Sequence, residues 1–172
     1  MAVRKIRRYG DPVLREKAAP VEAFDESLRE LVRDLLDTVE LAGGVGLAAP
    51  QIGVLERVMV VWPVPAGEEE RRIEDALVLV NPEVADSMGP AVSMEEGCLS
   101  IPGIYETVKR PAGIRVHAKN SSGEPLEIED HETVSRILQH EIDHLDGVLF
   151  IDLVGPMKRA LLKKRLRELA ES

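Results

Sequence analysis

The apolar positions change period along the chain, and the period predicts the elements. Over 24–41, Leu28, Leu31, Val32, Leu35, Leu36 and Val39 recur every three or four residues, the spacing of one helix face. Asp25 stands where a capping acid would accept from free backbone N–H groups, and AGGVG at 42–46 ends the helix. RVMVVW (57–62) and ALVLVNP (76–82) read as strands, with the polar stretch PVPAGEEERR (63–72) as an exposed hairpin loop between them. GIRVHAK (113–119) reads as another strand, closed by the turn NSSGEP. Residues 91–100 fit no single period and lie between turn signals at SMGP and IPG. A second helix is expected over 131–146 with Asp130 as its cap, then a short strand VLFIDLV (148–154), then a third helix over 158–169. Strands in the middle with helices on both sides predict an α+β fold. The expectation is one domain over 1–172, with antiparallel or mixed sheets around a central helix and further helices toward both ends.

Composition narrows the class. Apolar residues make up 44% of 172, but aromatics only 3%, so the core must rest on Leu, Ile, Val, Met and Ala. MAVRKIRRYG is basic and no apolar run follows it, so no signal peptide is expected. No run approaches the length of a membrane span, so no membrane partner is expected. The single cysteine, Cys98, forms no internal disulfide, which suits a cytoplasmic setting. A net charge of -9 argues against a protein wrapped in nucleic acid. Yet KRALLKKRLR (158–167) carries six positive charges and no negative one, while EEERRIED (68–75) is acidic. Such a tail either faces an anionic partner or is a solvated helix face whose cations suit the C-terminal end of the helix dipole.

The second helix carries the chemistry. QHEIDHLDG (139–147) holds two histidines four apart with a glutamate after the first. With His140 at zero on a 100° wheel, His144 falls at about 40°, Ile137 at about 60° and Glu141 at about 100°. Val134, Leu145, Leu138 and Ile142 cover about 120° to 200°, so Glu141 falls inside the apolar arc. A carboxylate facing the core is costly unless paired or protonated. Gln139, Arg136 and Asp143 take the opposite side, expected to be a surface strip. H-E-x-x-H is a geometry for zinc with a general base, although chance pairs and hydrogen-bonded core histidines give the same short pattern.

A catalytic metal site needs a third protein ligand. The continuation after Gly147 is VLF, with no histidine where a metzincin would have one. His131 lies across the helix axis, His117 reads as a surface or packing residue, and Glu168 and Glu171 belong to the charged last helix. Cys98 is the better candidate: MEEGCLSIPG is poor core sequence, although a buried structural cysteine is the ordinary alternative. GGVGLAAPQIG (43–53) permits close backbone approach to a ligand. A phosphate loop is the weaker reading there, because no Lys-Ser or Lys-Thr pair follows. Gln51 offers an amide that could serve as an oxyanion donor.

GVGLAAPQ (44–51), EGCLS (96–100) and QHEIDH (139–144), in this order and spacing, resemble the three motifs of peptide deformylases of bacterial type. The resemblance covers nearly the whole chain, including DPVLR near the start. It implies a metal-dependent hydrolase that removes the formyl group from N-formylmethionine on nascent peptides and releases formate. It implies Cys98, His140 and His144 as ligands of one divalent metal ion. Ferrous iron is the metal implied in the cell, with zinc, nickel or cobalt in preparations. Glu141 would be the general acid and base, and Gln51 with the Leu99 N–H the oxyanion donors. Val45, Gly46, Gly97, Arg110, Arg136 and Ile137 would bind substrate. Of these, Arg110 would lie along the peptide, while Val45, Ile137 and part of Arg136 would line a methionine pocket. Glu96 resembles an acid that pairs with an arginine, for which Arg115 is the candidate. The basic helix at 158–169 is similar to one that docks on the ribosome, and the family leans to monomers without sequence-specific nucleic-acid binding. HETVS before the third motif and the acidic loop at 63–72 depart from the family pattern and touch the rim of the pocket. A zinc peptidase cutting internal bonds, or a structural metal protein or inactive ribosome-associated factor, remain the alternatives.

Overall fold

The structure is a computed structural model that describes residues 3–63 and 72–172. The expected hairpin loop at 63–72 falls almost wholly outside them. The elements are α1 (Glu26–Leu41), β1 (Gly46–Ala48), β2 (Val58–Val61), β3 (Leu77–Cys98), β4 (Ile101–Lys119), β5 (Pro125–Asp130), α2 (Thr133–Leu145) and α3 (Pro156–Glu171), with short 3-10 turns between them. The strands form one sheet in the order β1-β2-β3-β4-β5, and every neighbouring pair is antiparallel. This is the expected α+β architecture, with α2 carrying the histidines.

Alternation in β2 explains why the sheet is covered on both faces. Val58 and Val60 pack with Leu28, Leu35 and Val39 of α1, while Met59 and Val61 pack with Leu138, Ile142 and Leu145 of α2. A strand buried on two sides reads as an unbroken apolar run, as VMVV does. The apolar periodicity of α1 holds, and Asp25 caps it by accepting from Leu28 N at 3.1 Å. Asp130 likewise secures the start of α2: its Oδ2 accepts from Glu132 N at 2.9 Å and Ser135 N at 2.8 Å.

Two expectations fail here. Residues 91–98 are not a mixed segment between turns but the end of β3, with Leu99 and Ser100 forming the turn into β4, and the register of β3 with β4 shifts at Val80/Glu83, Val84/Asp86, Met88/Ala91 and Glu96/Cys98. SMGP sits at one of these bulges, and IPG lies inside β4. Bulges insert residues on one strand and so destroy the two-residue alternation that would reveal it. VLFIDLV is not a strand: Phe150–Leu153 is a 3-10 turn whose Leu149, Phe150, Ile151 and Val154 fill a third core with Leu162 and Leu166 of α3. A short apolar run does not by itself distinguish a buried strand from other buried backbone. Among the described residues no helix is long and apolar enough to cross a membrane.

Candidate active site

The site forms where α2 passes the end of β3. His140 and His144 stand on successive turns, their ring centroids 5.0 Å apart at 64°. The bulge between Glu96 and Cys98 turns the end of β3, and Cys98 Sγ lies 3.3 Å from His144 Nε2. One donor atom from each of Cys98, His140 and His144 can be chosen so that all lie within 4.8 Å of one another. One thiolate and two imidazoles are a set that suits a divalent transition metal. His140 Nδ1 is already engaged with Glu96 Oε1 at 2.9 Å, which leaves Nε2 for an ion. Glu141, 4% exposed, has an Oε2 with no hydrogen-bond partner among the described residues, and so does His144 at Nδ1. A buried, unpartnered carboxylate oxygen beside three converging donors fits a site that takes an ion and a polar substrate.

Glu96 is the centre of a buried ion network. It accepts from Arg110 Nε at 2.7 Å and Nη2 at 3.0 Å, and from Arg136 Nη1 at 2.7 Å. Arg110 also donates to Asp143 at 2.8 Å, and Arg136 to the carbonyls of Val108 and Val92. Three expectations are corrected by this arrangement. Arg115 does not pair with Glu96; it lies near Asp86, Glu127 and Glu129 on the outer part of the sheet. Arg110 is buried and does not line the pocket, so its guanidinium serves Glu96 and Asp143 rather than the length of a peptide. Arg136 is not on a surface strip of α2, because the long hairpin of β3 and β4 covers that side of the helix.

Gln51 is held by a different device. The 3-10 turn Ala49–Ile52 brings its side chain back so that Oε1 accepts from Ala48 N at 2.9 Å. That fixes the amide, and Nε2 donates to Ser100 Oγ at 3.1 Å and points toward Cys98 Sγ at 3.7 Å. The pocket in front measures about 510 Å³. Val45, Gly46, Gly97, Leu99, Arg136 and Ile137 all line it, with Gln51, Cys98, His140 and Glu141. His144 is buried behind that wall. Gly46 allows a close approach: a Cβ there would lie 3.0 Å from Glu141 Cγ and 3.1 Å from Ile137 Cγ2, so one of these side chains would have to give way by a few tenths of an ångström.

The charges respond to burial and to one another. Burial pushes the Glu141 carboxyl up to about 7, against the pull of His140 and Arg110. Burial also opposes ionisation of Glu96, but His140, Arg110 and Arg136 outweigh it and hold that carboxyl far below the usual range. His144 is driven well below the ordinary histidine value by burial and then by the charge of His140. His140 moves the other way despite burial, because Cys98 and Glu96 favour its protonated form.

Sequence reasoning missed several residues of the site. Ser100 and Asp143, which hold Gln51 and Arg110, sit inside the EGCLS and QHEIDH motifs and were open to notice there. Trp62, Met94, Tyr105 and Thr133 also line the pocket. Met94 and Tyr105 lie on the interrupted strands of the hairpin, where no clean period marks a face.

The model of the polypeptide deformylase family matches residues 3–160. The chain belongs to the polypeptide deformylase family. A peptide deformylase of Thermodesulfovibrio yellowstonii is 42% identical over 167 residues, 97% of this chain and 98% of the relative. The crystal structure of a peptide deformylase from Legionella pneumophila superposes with a TM-score of 0.87 at 46% identity, covering 97% of this chain and 95% of that one. A Plasmodium falciparum peptide deformylase gives 0.90 at 34% identity, over 97% and 95% of the two chains. The cysteine and two histidines match the deformylase active site that removes N-formyl groups, and the chain is a metal-dependent hydrolase.

Proposed function

We propose that residues 1–172 form one catalytic domain that hydrolyses the formyl amide of N-formylmethionine at the start of nascent peptides. The observation that carries this reading is the buried Glu141, with Oε2 unpartnered among the described residues, beside Cys98, His140 and His144 at a glycine-lined pocket. Those three residues would hold one divalent ion: iron in the cell, on the family resemblance, with zinc, nickel or cobalt compatible with the same donors. When bound, the ion supplies Lewis acidity that makes water a better nucleophile and polarises the formyl oxygen.

Glu141 accepts the proton of the attacking water as its oxygen adds to the formyl carbon. A carboxyl near 7 exchanges a proton readily in both directions at neutral pH. Gln51 Nε2 and the Leu99 N–H donate to the oxygen that gains charge, and Ala48 N has already oriented the Gln51 amide for this. Glu141 then passes its proton to the departing amine; the products are formate and a free amino terminus. Val45, Ile137 and the stem of Arg136 would hold the methionine side chain. The Gly46 and Gly97 backbones would bind the peptide alongside. The protein would act as a cytoplasmic monomer, with basic α3 facing the ribosome.

The test compares formate release from a formyl-Met peptide with cleavage of the same peptide lacking the formyl group. Formate release from the first alone is expected. Internal cleavage of the second at a comparable rate would replace this reading with a zinc peptidase.

A further inference from the structure

The two histidines are held by different means. His140 is oriented through its own ring, because Nδ1 meets Glu96 Oε1 at 2.9 Å. His144 has no such hold: its Nδ1 is buried and has no hydrogen-bond partner among the described residues. Its Nε2 nevertheless stands 3.3 Å from Cys98 Sγ. The angle of that ring therefore depends on its backbone and its packing. His144 is the last residue but one of α2, where the helix itself constrains the backbone least. The final four carbonyls of a helix have no partner within it, and helix ends fray.

Some of those carbonyls are satisfied by the turn that follows. Asp143 O accepts from Asp146 N and Val148 N, each at 2.9 Å, and His144 O accepts from Gly147 N at 3.2 Å. Leu145 O, one residue past His144, is met from elsewhere in the chain. Ala18 N donates to it at 2.8 Å and Arg57 Nη1 at 3.0 Å. The same Nη1 lies 3.0 Å from Asp146 Oδ1 and 3.4 Å from the Ala18 carbonyl oxygen. Alternation along the strand puts Arg57 on the face of Met59 and Val61, which pack against α2. The backbone of Arg57 is fixed in turn: its N–H donates to Ala19 O at 3.0 Å, and its carbonyl accepts from Asn81 N of β3 at 2.8 Å. β3 ends at Cys98. Arg57 thus joins the helix that carries the histidines to the sheet that carries the cysteine. Its side chain is only 14% exposed, and a cation there suits the negative end of the helix dipole.

We propose that Arg57 is a positioning residue for His144: it pins the last turn of α2 to the sheet, so that the imidazole faces Cys98 at a fixed angle without a hydrogen bond to its own ring. This rests on the reading of Cys98, His140 and His144 as ligands of one divalent ion. Arg57 stands behind the site and does not line the pocket, so it acts through the helix end and not on the substrate. The plainer reading, a surface ion pair with Asp146, accounts for neither the Leu145 contact nor the burial of the Arg57 side chain.

The experiment loads the full chain with cobalt(II), whose visible absorption reports the geometry of its ligands and whose near-ultraviolet band reports a bound thiolate. Chelator competition measures cobalt retention, and formate release gives kcat and KM. Arg57→Met should alter the visible bands, weaken retention about 10-fold and lower kcat while KM holds, because loss of a group that orients a ligand weakens metal binding about 10–100-fold. Arg57→Lys, whose ammonium can still reach the Leu145 carbonyl and Asp146, should recover most of each. Leu35→Ala removes packing from the core against α1, away from the site, and shows what lost stability does alone: a lower urea midpoint with bands and retention unchanged. If Arg57→Met lowers the midpoint but keeps the bands and retention of the parent, Arg57 is structural only and the proposal is overturned. Should Arg57→Met not fold, Arg57→Gln, shorter and uncharged, is judged by the same readings. If the parent shows no thiolate band, or if His144→Ala retains cobalt as the parent does, the ligand reading itself fails and takes this proposal with it.

Discussion

His140 Nδ1 stands 2.9 Å from Glu96 Oε1, and the same carboxylate receives Arg110 and Arg136. One buried acid thus fixes the tautomer of a metal-ligand candidate and pairs with two buried cations, Asp143 supplying a second acid to Arg110. Orientation of the ligand and integrity of the hairpin against α2 depend on the same group.

Glu96→Ala should therefore fail in two ways. It leaves the buried Arg136 without an acid and Arg110 with Asp143 alone, and breaking a buried ion pair costs about 3–5 kcal/mol. It also frees the His140 ring, and loss of such a partner weakens metal binding about 10–100-fold. Urea unfolding of the metal-free protein and chelator competition on the loaded protein separate the two effects. An unchanged unfolding midpoint would show that the network contributes nothing to stability.

Glu141 gives a prediction with a definite pH sign. Its folded carboxyl titrates at about 7 against an ordinary 4.5, so the folded state keeps a proton that the unfolded chain has lost. Its contribution is unpenalised below about 4.5, and stability is lost as pH rises toward 7. Above that the buried charge costs on the order of a few kcal/mol. Metal-free Glu141→Gln should exceed the parent in stability at pH 8, with the gap closing toward pH 5. The loaded variant should retain metal and lose nearly all formate release. Equal stability of the two metal-free proteins at pH 8 would remove burial as the cause of the raised value.

Gly46→Ala tests the close approach of β1 to Glu141, the proposed general base. The added methyl would meet Glu141 and Ile137 at about 3 Å, so the carboxylate must shift by a few tenths of an ångström. A small misplacement of a catalytic group costs up to about 100-fold. The expected result is a lower kcat with metal content unchanged, measured by formate release and metal analysis of the same sample. Full activity would mean that the base tolerates displacement.

The helices and the sites on them were legible because their signals are local. The inward angle of Glu141 follows from helical geometry alone, and burial at 4% agrees with it. The same wheel placed Arg136 at the surface and was misled, because a wheel does not know that the β3–β4 hairpin folds over that side. Arg115 was chosen for Glu96 over Arg110, although both lie on β4. Only the register, with Arg110 opposite Val92 and Arg115 opposite Asp86, separates them. The bulges that set this register are also what hid β3 and β4 from sequence periodicity.

Gly147 closes α2 and tests how far that turn carries the site. Its φ is 74°, and a Cβ would lie 2.6 Å from the Arg15 carbonyl oxygen, so alanine meets both backbone strain and a backbone clash. Gly103 has a φ of 79° but open space around it, so alanine there meets the strain alone. Strain in this region costs about 1–2 kcal/mol, and the clash must add to it, because a backbone atom cannot swing aside as a side chain does. Gly147 N also donates to the His144 carbonyl at 3.2 Å, so the displaced turn is the one that carries a ligand. Gly147→Ala should lower stability well beyond Gly103→Ala in urea unfolding and should weaken metal retention, which Gly103→Ala leaves intact. Equal losses of stability in the two variants would show that the Arg15 segment yields, and that the end of α2 is not braced by it.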